Sequence, residues 1–178
     1  MRTVWRITTA RFAAAAFSDE GARLHGGRWN PKGHGVIYTA ESQSLALLEM
    51  LAQDAPLRAR YVLIPAHLPA ERAVSQVEAS ALPANWRTLG TRDALQAIGR
   101  AWLEEGRSAV LAVPSAVVPA ERNYLINPRH PDFAASSSGC RRRWMWMFGC
   151  CGIWAELADP PSCRRQPIVD LASQPFRH

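Results

Sequence analysis

Two charged side chains in the first third of the chain lie where the fold alone does not require them. Arg28 follows two glycines in "HGGRWNPKG", where a flexible backbone allows a ligand to approach closely. A guanidinium at such a place can donate two parallel hydrogen bonds to a phosphate, and the alternative is a solvated loop arginine. Glu49 lies among apolar residues in "LALLEML", so its carboxylate faces either solvent at a helix boundary or a cleft.

Further polar candidates end or interrupt apolar segments. Tyr38 ends the apolar run "GVIY", and its ring belongs either to the core or to a surface that stacks on a ligand. Ser115 follows Pro114 in "AVLAVPSAVV", where a bulge serine bonded to the backbone is the simplest interpretation. It is not a nucleophile elbow, because the surrounding G-x-S-x-G is absent. Asn123 and Asn127 frame "NYLINP", for which turn and capping roles are the simplest account.

The spacing of the other candidate ligands argues against a metal site. No two of the following histidines have the four-residue spacing of a metal-binding helix: His25, His34, His67 and His130. All cysteines lie near the C-terminus and form no C-x2-C pair: Cys140, Cys150, Cys151 and Cys163. The glycine-rich segment matches neither a P-loop nor the G-x-G-x-x-G fingerprint. The sequence therefore predicts no bound metal.

The elements that must position these side chains include several strands. β-branched and aromatic residues predict strands over 3–8, 35–40, 59–69 and 108–118, and "AVSQVEA" is a weaker candidate. Pro114 interrupts the last of the four, which predicts an edge strand or a bulge because proline cannot donate to a sheet. The segment 10–24 is ambiguous, since its alanines favour a helix while Gly21 favours a stop.

Two segments have helical periodicity. The first spans 41–53 and is capped by Ser42 or Ser44. Its predicted buried stripe consists of Leu45, Leu48, Met50 and Leu51. The second spans 91–106, with Thr91 as N-cap and Gly106 as C-terminal stop. Its predicted apolar face consists of Leu95, Ile98, Ala101 and Trp102. Strand and helix patterns alternate without an internal repeat, which predicts a mixed α/β (α+β) fold in a single compact domain.

Length and composition bound the class of protein. A chain of 178 residues is long enough to bury the core of one domain. Its formal charge of +6 suggests nucleic acid as a partner, but half of that excess lies in residues 134–178, with six arginines and three acids. No run of eighteen apolar residues occurs, and the N-terminus lacks the apolar core of a signal peptide. We therefore expect a cytoplasmic protein without membrane contact.

Residues 134–178 do not follow the pattern of the preceding part. They concentrate cysteine, tryptophan, arginine and methionine with neither a strand nor a helix period. This atypical tail is either an irregular extension or a segment that a reading-frame shift substituted for the original end. Its run "CRRRWMWM" interleaves arginine with aromatic residues, as in single-strand nucleic-acid binders, but it lies outside the predicted domain at 1–133.

The order of four motifs closely resembles the RES-domain family, the toxins of bacterial toxin–antitoxin pairs. The motifs are "GGRWNPKG", "VIYTAESQSLALLEML", "VPSAVVP" and "NYLINPRHPDF". The family is named for a polar Arg, Glu and Ser, which match Arg28, Glu49 and Ser115. The resemblance covers residues 3 to about 133 and implies a fold similar to bacterial ADP-ribosyltransferases.

The resemblance also implies chemistry on NAD. Family members transfer ADP-ribose to a protein with release of nicotinamide, or break NAD down with water or phosphate. Cleavage of the nicotinamide–ribose bond develops oxocarbenium character on the sugar, which a nearby carboxylate stabilises. By the resemblance, Glu49 has that role, Arg28 holds the pyrophosphate or ribose, and Tyr38 stacks on or closes over the nicotinamide. Ser115 and Asn123 are then expected to bond the ligand, with Trp29 and Lys32 as further candidates.

The resemblance implies a partner as well. The expected partner is an Xre-like helix-turn-helix antitoxin, which occludes the cleft and itself binds DNA, so we expect no direct nucleic-acid contact by this chain. Family members usually continue with a strand that ends near "PF-x-F-D-x-R", whereas this chain has only "SQPFRH". That departure leaves open a catalytically impaired module that still binds the antitoxin.

Overall fold

A mixed sheet forms the centre of the computed structural model, which describes residues 2–53, 60–68 and 74–134. Its strands are β1 (Arg2–Thr9), β2 (Ile37–Ala40), β3 (Tyr61–Leu68), β4 (Val74–Gln76), β5 (Val110–Pro114) and β6 (Arg122–Ile126). They lie in the order β3-β1-β2-β6-β5-β4, and the β4–β5 pair is the parallel one. The predicted α/β class is confirmed, and each of the five predicted strand segments contains an observed strand.

Four α-helices connect these strands in the described part of the chain. They are α1 (Glu20–His25), α2 (Gln43–Leu51), α3 (Arg92–Glu105) and α4 (Pro131–Ala134). Helix α2 begins at Ser42, whose hydroxyl accepts a hydrogen bond from the N–H of Leu45 at 3.0 Å. Helix α3 ends at Gly106, which adopts the left-handed conformation with φ 58°. Thr91 is the N-cap residue of α3, as predicted, but its hydroxyl donates to the preceding loop and makes no cap hydrogen bond.

The predicted buried stripe of α2 is half wrong. Leu45 and Met50 are buried, but Leu48 and Leu51 are each 40% exposed. Successive side chains turn by 100° around a helix, so the face that holds Leu45 and Met50 also holds Glu49, and Leu48 and Leu51 point away. The same geometry therefore places Glu49 on the packed side of α2.

The prediction of an edge strand at Pro114 is also wrong. β5 lies inside the sheet, between β6 and β4. Pro114 is nevertheless the last residue of β5, and β4 pairs only as far as Ala112. The side of Pro114 that lacks an N–H therefore lies beyond the end of β4, where no ladder hydrogen bond is lost.

Both long helices pack on the same face of the sheet. Helix α3 contributes Leu95 and Trp102 to a cluster with Leu111 and Leu125, and α2 packs around Ala40 through a second cluster. The same face carries Tyr38 and Asn123, because cross-strand partners share a face and Tyr38 pairs with Leu125, Ala40 with Asn123. The alternation of side chains along β2 and β6 therefore places Tyr38 and Asn123 on the face that the helices cover.

The predicted apolar face of α3 is partly wrong, since Ala101 is exposed.

The opposite face of the sheet is also apolar. It holds a cluster that includes Val4, Ala66, Tyr124 and Ile126, against which Phe133 packs. Among the described residues, no helix combines the length and apolar character needed to cross a bilayer. The predicted atypical tail at 134–178 falls outside the described residues, apart from its first position at the end of α4.

Gly99 provides a test of how α3 meets the segment before β2. A Cβ on Gly99 would overlap the backbone carbonyl of Trp29, which cannot move aside as a flexible side chain would. We expect Gly99→Ala to lower the free energy of unfolding by about 3 kcal/mol, measured by urea denaturation. Gly21→Ala is the matched control, because Gly21 is helical with no heavy atom within 4 Å. It should be neutral or stabilise by up to about 1 kcal/mol. Equal effects of the two substitutions would contradict the close approach.

Candidate active site

A cavity of about 630 Å³ lies on the helical face of the sheet. The glycine-rich hinge, residues 26–36, forms one wall, and α2 forms the other. The structure brings five of the predicted site residues to this cavity: Arg28, Trp29, Tyr38, Glu49 and Asn123. Its volume lies within the range of sites for small organic ligands.

The charges that line the cavity are mainly positive. Among the described residues of its wall, the cations are Arg6, Arg28 and Arg92, and Glu49 is the acid. Three guanidinium groups around one carboxylate favour an anionic ligand, and low-dielectric walls strengthen that preference. The arrangement suits a ligand with phosphate groups at one part and a group that Glu49 can stabilise at another.

Glu49 is held by two hydrogen bonds to the same oxygen. Its Oε1 accepts from the hydroxyl of Ser115 at 2.7 Å and from the side-chain amide of Asn123 at 2.6 Å. No described residue donates to Oε2 in the same way, so Oε2 is the oxygen available to a ligand. The carboxylate is thus oriented before any ligand binds, which is what electrostatic stabilisation of a developing charge needs.

Ser115 lies behind Glu49 and is completely buried. Its hydroxyl donates to Glu49 and accepts from the backbone N–H groups of Val117 and Val118, at 3.1 and 3.0 Å. A hydroxyl has one donor and two acceptor positions, so this capacity is fully used within the protein. The placement differs from the direct ligand contact expected from the sequence. Asn123 does line the cavity, but its amide N–H also points to Glu49.

The hydroxyl of Tyr38 is engaged in the hinge. It donates to Oδ1 of Asn30 at 2.7 Å and accepts from the N–H of Trp29 at 3.1 Å. Burial raises the pKa of Tyr38, so the phenol stays neutral at any physiological pH. Because the hydroxyl is occupied, the ring is the part of Tyr38 that can contact a ligand.

Asn30 is a residue that the sequence analysis missed. It is completely buried, and its Nδ2 donates to the carbonyl oxygens of Ala22 and His34 at 2.8 and 2.6 Å. Its Oδ1 accepts from Tyr38, so one side chain ties α1, the hinge and β2 together. A Cβ on Gly27 would overlap the Tyr38 hydroxyl and the Asn30 side chain, so glycine is required there. Asn30 gave no sequence signal beyond its place before a proline.

Contacts from α3 and the loop before it hold the hinge from outside. The Nε of Arg92 and the amide of Gln96 both donate to the carbonyl of Gly27, at 3.2 and 2.7 Å. Arg28 donates through Nη1 to the carbonyls of Trp86 and Arg87, at 3.4 and 3.2 Å. Both bonds use Nη1 of the Arg28 guanidinium, and Arg28 also lines the cavity.

Arg6 is a second missed residue of the cavity wall. Its Nη1 donates to the backbone carbonyl of Tyr38 at 2.9 Å, while its buried Nε has no hydrogen-bond partner among the described residues. Burial lowers the pKa of Arg6 to about 10, so the group remains charged at neutral pH. The sequence feature that indicates Arg6 is its charge, which interrupts an apolar strand between Trp5 and Ile7.

The remaining candidates separate into a core residue and a surface residue. Trp29 is 2% exposed and packs in the cluster beneath α3, while its position also borders the cavity. Lys32 is exposed and does not line the cavity. Within the described ranges, no group of three or more His, Cys, Asp or Glu side chains is arranged to hold a metal ion.

Comparison with known proteins gives a consistent set of similarities. The model of the RES domain matches residues 3–147, a range that contains every residue of the site described above. "Toxin Res" of Yersinia enterocolitica is 39% identical over 132 residues, covering 73% of this chain and 86% of the relative. "Prs ADP-ribosylating toxin" of Sphingobium sp. is 37% identical over 150 residues, covering 80% and 92%.

A solved structure is similar as well. A chain in the crystal structure of the M. tuberculosis MbcT–MbcA toxin–antitoxin complex superposes with a TM-score of 0.59 and 26% sequence identity. The similarity covers 70% of this chain and 73% of that chain. It supports the fold assignment over the part that carries the cavity.

The buried hydroxyl of Tyr38 predicts a pH-dependent stability. Tyr38→Phe leaves Asn30 Oδ1 and the Trp29 N–H without their partner, which should cost about 1–3 kcal/mol of unfolding free energy at pH 7. In the wild type the folded phenol holds its proton to higher pH than the unfolded chain, whose pKa is about 10. Wild-type stability should therefore fall as the pH rises above about 10, by about 1 kcal/mol per pH unit more than in Tyr38→Phe. Urea denaturation of both proteins between pH 7 and 11 measures the loss at pH 7 and the pH dependence. The same dependence of unfolding free energy on pH in the wild type and in Tyr38→Phe would contradict a buried phenol.

Proposed function

The chain belongs to the RES-domain family, and on this premise we propose that it is the toxin of a toxin–antitoxin pair whose cavity cleaves NAD. The favoured reaction transfers ADP-ribose to a cellular protein and releases nicotinamide. The observation that carries the proposal is Glu49, which is fixed through Oε1 and lines a cavity whose other charged residues are arginines. The relative named as an ADP-ribosylating toxin supports the choice of reaction.

In this reaction the bond between nicotinamide and ribose breaks, and its electron pair leaves with nicotinamide. The pyridinium becomes a neutral leaving group, while positive charge develops on the ribose. Oε2 of Glu49 stabilises that charge, and the ribose carbon then forms a bond to the acceptor, whose proton passes to water. Because Ser115 and Asn123 hold the carboxylate in place, little reorganisation is needed as the charge develops.

The arginines of the wall are suited to the two phosphates of NAD. Arg28 carries free donor capacity in the hinge, and Arg6 has a buried Nε without a partner among the described residues. A phosphate in the cavity would offset part of the cost of the buried Arg6 charge. Tyr38 offers its ring to the nicotinamide or adenine, since its hydroxyl is engaged by Asn30.

NAD breakdown by water or phosphate is a second candidate reaction. Among the described residues of the cavity wall, Glu49 is the sole carboxylate, so no second carboxylate is present there to act as a base on a protein acceptor. Inorganic phosphate is already ionised and would be attracted by the same arginines. Incubation of the purified protein with NAD alone, with NAD and phosphate, and with NAD and lysate separates the reactions by their products. Added ADP-ribose on lysate proteins identifies transfer.

An antitoxin is the proposed protein partner. The similar chain of known structure was solved in a toxin–antitoxin complex, which supports an antitoxin partner for this chain. Occlusion of the cavity by that partner is part of the proposal. We propose that this antitoxin is of the Xre-like helix-turn-helix type and supplies the DNA binding of the pair.

Glu49→Gln tests the catalytic carboxylate. The amide keeps the shape and a hydrogen-bonding oxygen but removes the charge, so we expect NAD consumption to fall by about 100-fold or more. Liquid chromatography of nicotinamide release measures it. Glu105→Gln is the matched control, because Glu105 is an exposed residue at the end of α3 that pairs with Arg107. Wild-type activity in Glu49→Gln would contradict the assignment, and inactive wild-type protein would contradict NAD cleavage itself.

Arg28→Ala and Lys32→Ala form a matched pair of cation removals within one hinge. Arg28 lines the cavity, whereas Lys32 is exposed away from it. Expression of the wild type should arrest bacterial growth, Arg28→Ala should abolish the arrest, and Lys32→Ala should retain it. Counts of viable cells after induction measure the growth arrest. No arrest by the wild type, together with retained antitoxin binding, would instead support the catalytically impaired module.

A further inference from the structure

The first turn of α2 is joined to the same hairpin that holds Glu49. Ser42 donates its hydroxyl proton to Oε2 of Glu121 at 2.6 Å, while its oxygen accepts from the N–H of Leu45. Glu121 immediately precedes β6, which carries Asn123 two residues later. The neighbouring residues add two contacts: the N–H of Glu41 donates to the carbonyl of Arg122, and the N–H of Arg122 donates to the side-chain Oε2 of Glu41.

Glu121 also closes the turn that presents Ser115. The N–H of Ser115 donates to the Glu121 carbonyl at 3.0 Å, and the N–H of Glu121 donates to the carbonyl of Val118 at 2.9 Å. One residue thus contacts α2 with its side chain and Ser115 with its backbone. A displacement of Glu121 would be transmitted to both attachment points of the helix.

Two separated attachments fix the direction of a helix, whereas one leaves it free to pivot. Ser42 and Glu49 are seven residues apart, or about 10 Å along the axis. A tilt of about 5° around one point moves the other by nearly 1 Å, which is more than the roughly 0.5 Å tolerance of a catalytic group. The Ser42–Glu121 bond shares the N-terminal attachment of α2 with the Glu41–Arg122 contacts, so its loss would weaken that attachment and allow Glu49 to shift relative to a bound ligand.

The negative charge of Glu121 suits its position near the N-terminal end of α2. The first turn of α2 contains no acidic residue, although a helix N-terminus favours negative charge. Glu121 supplies that charge from the hairpin through Ser42, the N-cap residue. Glu121 does not line the cavity, so it cannot act by touching the ligand.

From these contacts we propose that Glu121 is a positioning residue for Glu49, acting through Ser42 on the direction of α2. The kinetic consequence rests on the proposed cleavage of NAD. Because Glu121 acts on the orientation of the carboxylate and not on the arginines or Tyr38, its loss affects kcat and leaves KM for NAD nearly unchanged. The acceptor oxygen, and not the charge alone, maintains the Ser42 bond.

The test compares Glu121→Ala with Glu121→Gln in the full chain. The alanine variant should lower kcat for NAD consumption about tenfold with KM within twofold, whereas glutamine keeps an acceptor for Ser42 and should retain more than half of kcat. Ser42→Ala should give a similar loss, and the double variant Ser42→Ala, Glu121→Ala should be no slower than the slower single variant, as expected for one shared interaction. Glu104→Ala, an exposed acid on α3, should keep the wild-type kcat.

Hydrogen exchange supplies a readout that does not depend on activity. The amides of Leu45 and Ser115 should exchange faster in Glu121→Ala than in the wild type or Glu121→Gln. An alanine variant with wild-type kcat and exchange would overturn the proposal, and so would equal losses in the alanine and glutamine variants. Wild-type protein that does not consume NAD would refute the proposed function alone. Faster exchange in Glu121→Ala would then still support the role of Glu121 in positioning α2, and unchanged exchange would reject it.

Discussion

The two hydrogen bonds that end on Oε1 of Glu49 join helix α2 to the hairpin of β5 and β6. They come from Ser115 and Asn123, at the two sides of one turn, and no described residue donates to the second oxygen of Glu49, a residue that lines the cavity. A carboxylate on the packed side of a helix is costly unless its bonds are satisfied. Here the same bonds that satisfy it also orient it, so stability and chemistry impose the same geometry on this part of the molecule.

The opposite wall depends on a second buried polar group. Asn30 accepts from Tyr38 and donates to carbonyls of α1 and the hinge, and α3 donates to Gly27 from the other side. The hinge is rich in glycine and would be flexible in isolation, but these bonds determine its path. Arg28 on this wall and Glu49 on α2 therefore line one cavity from two elements that are fixed by separate hydrogen bonds. Such preorganisation is what a site for charge development requires.

Part of this site could be predicted from the sequence because its residues lie within short motifs. Arg28 follows two glycines, and Tyr38 and Glu49 lie in consecutive strand and helix segments, so local pattern and family resemblance were sufficient. Arg6 and Asn30 were missed because their importance comes from what surrounds them after folding. The strand β6 was not predicted either, because two polar side chains interrupt its apolar pattern: Arg122, which pairs with Glu78, and Asn123, which bonds Glu49 on α2.

Local periodicity and ordered motifs were sufficient to predict the mixed α/β class, the strand before α2 and the family. The role of each polar group became clear only from the fold. Ser115 is 66 residues from Glu49, and Asn123 is 74 residues away, so no local pattern could show that their hydrogen bonds converge on one oxygen. The fold also decided that the hydroxyl of Tyr38 is used inside the hinge. Hydrogen-bond capacity is counted over neighbours in space, and only the folded chain brings those neighbours together.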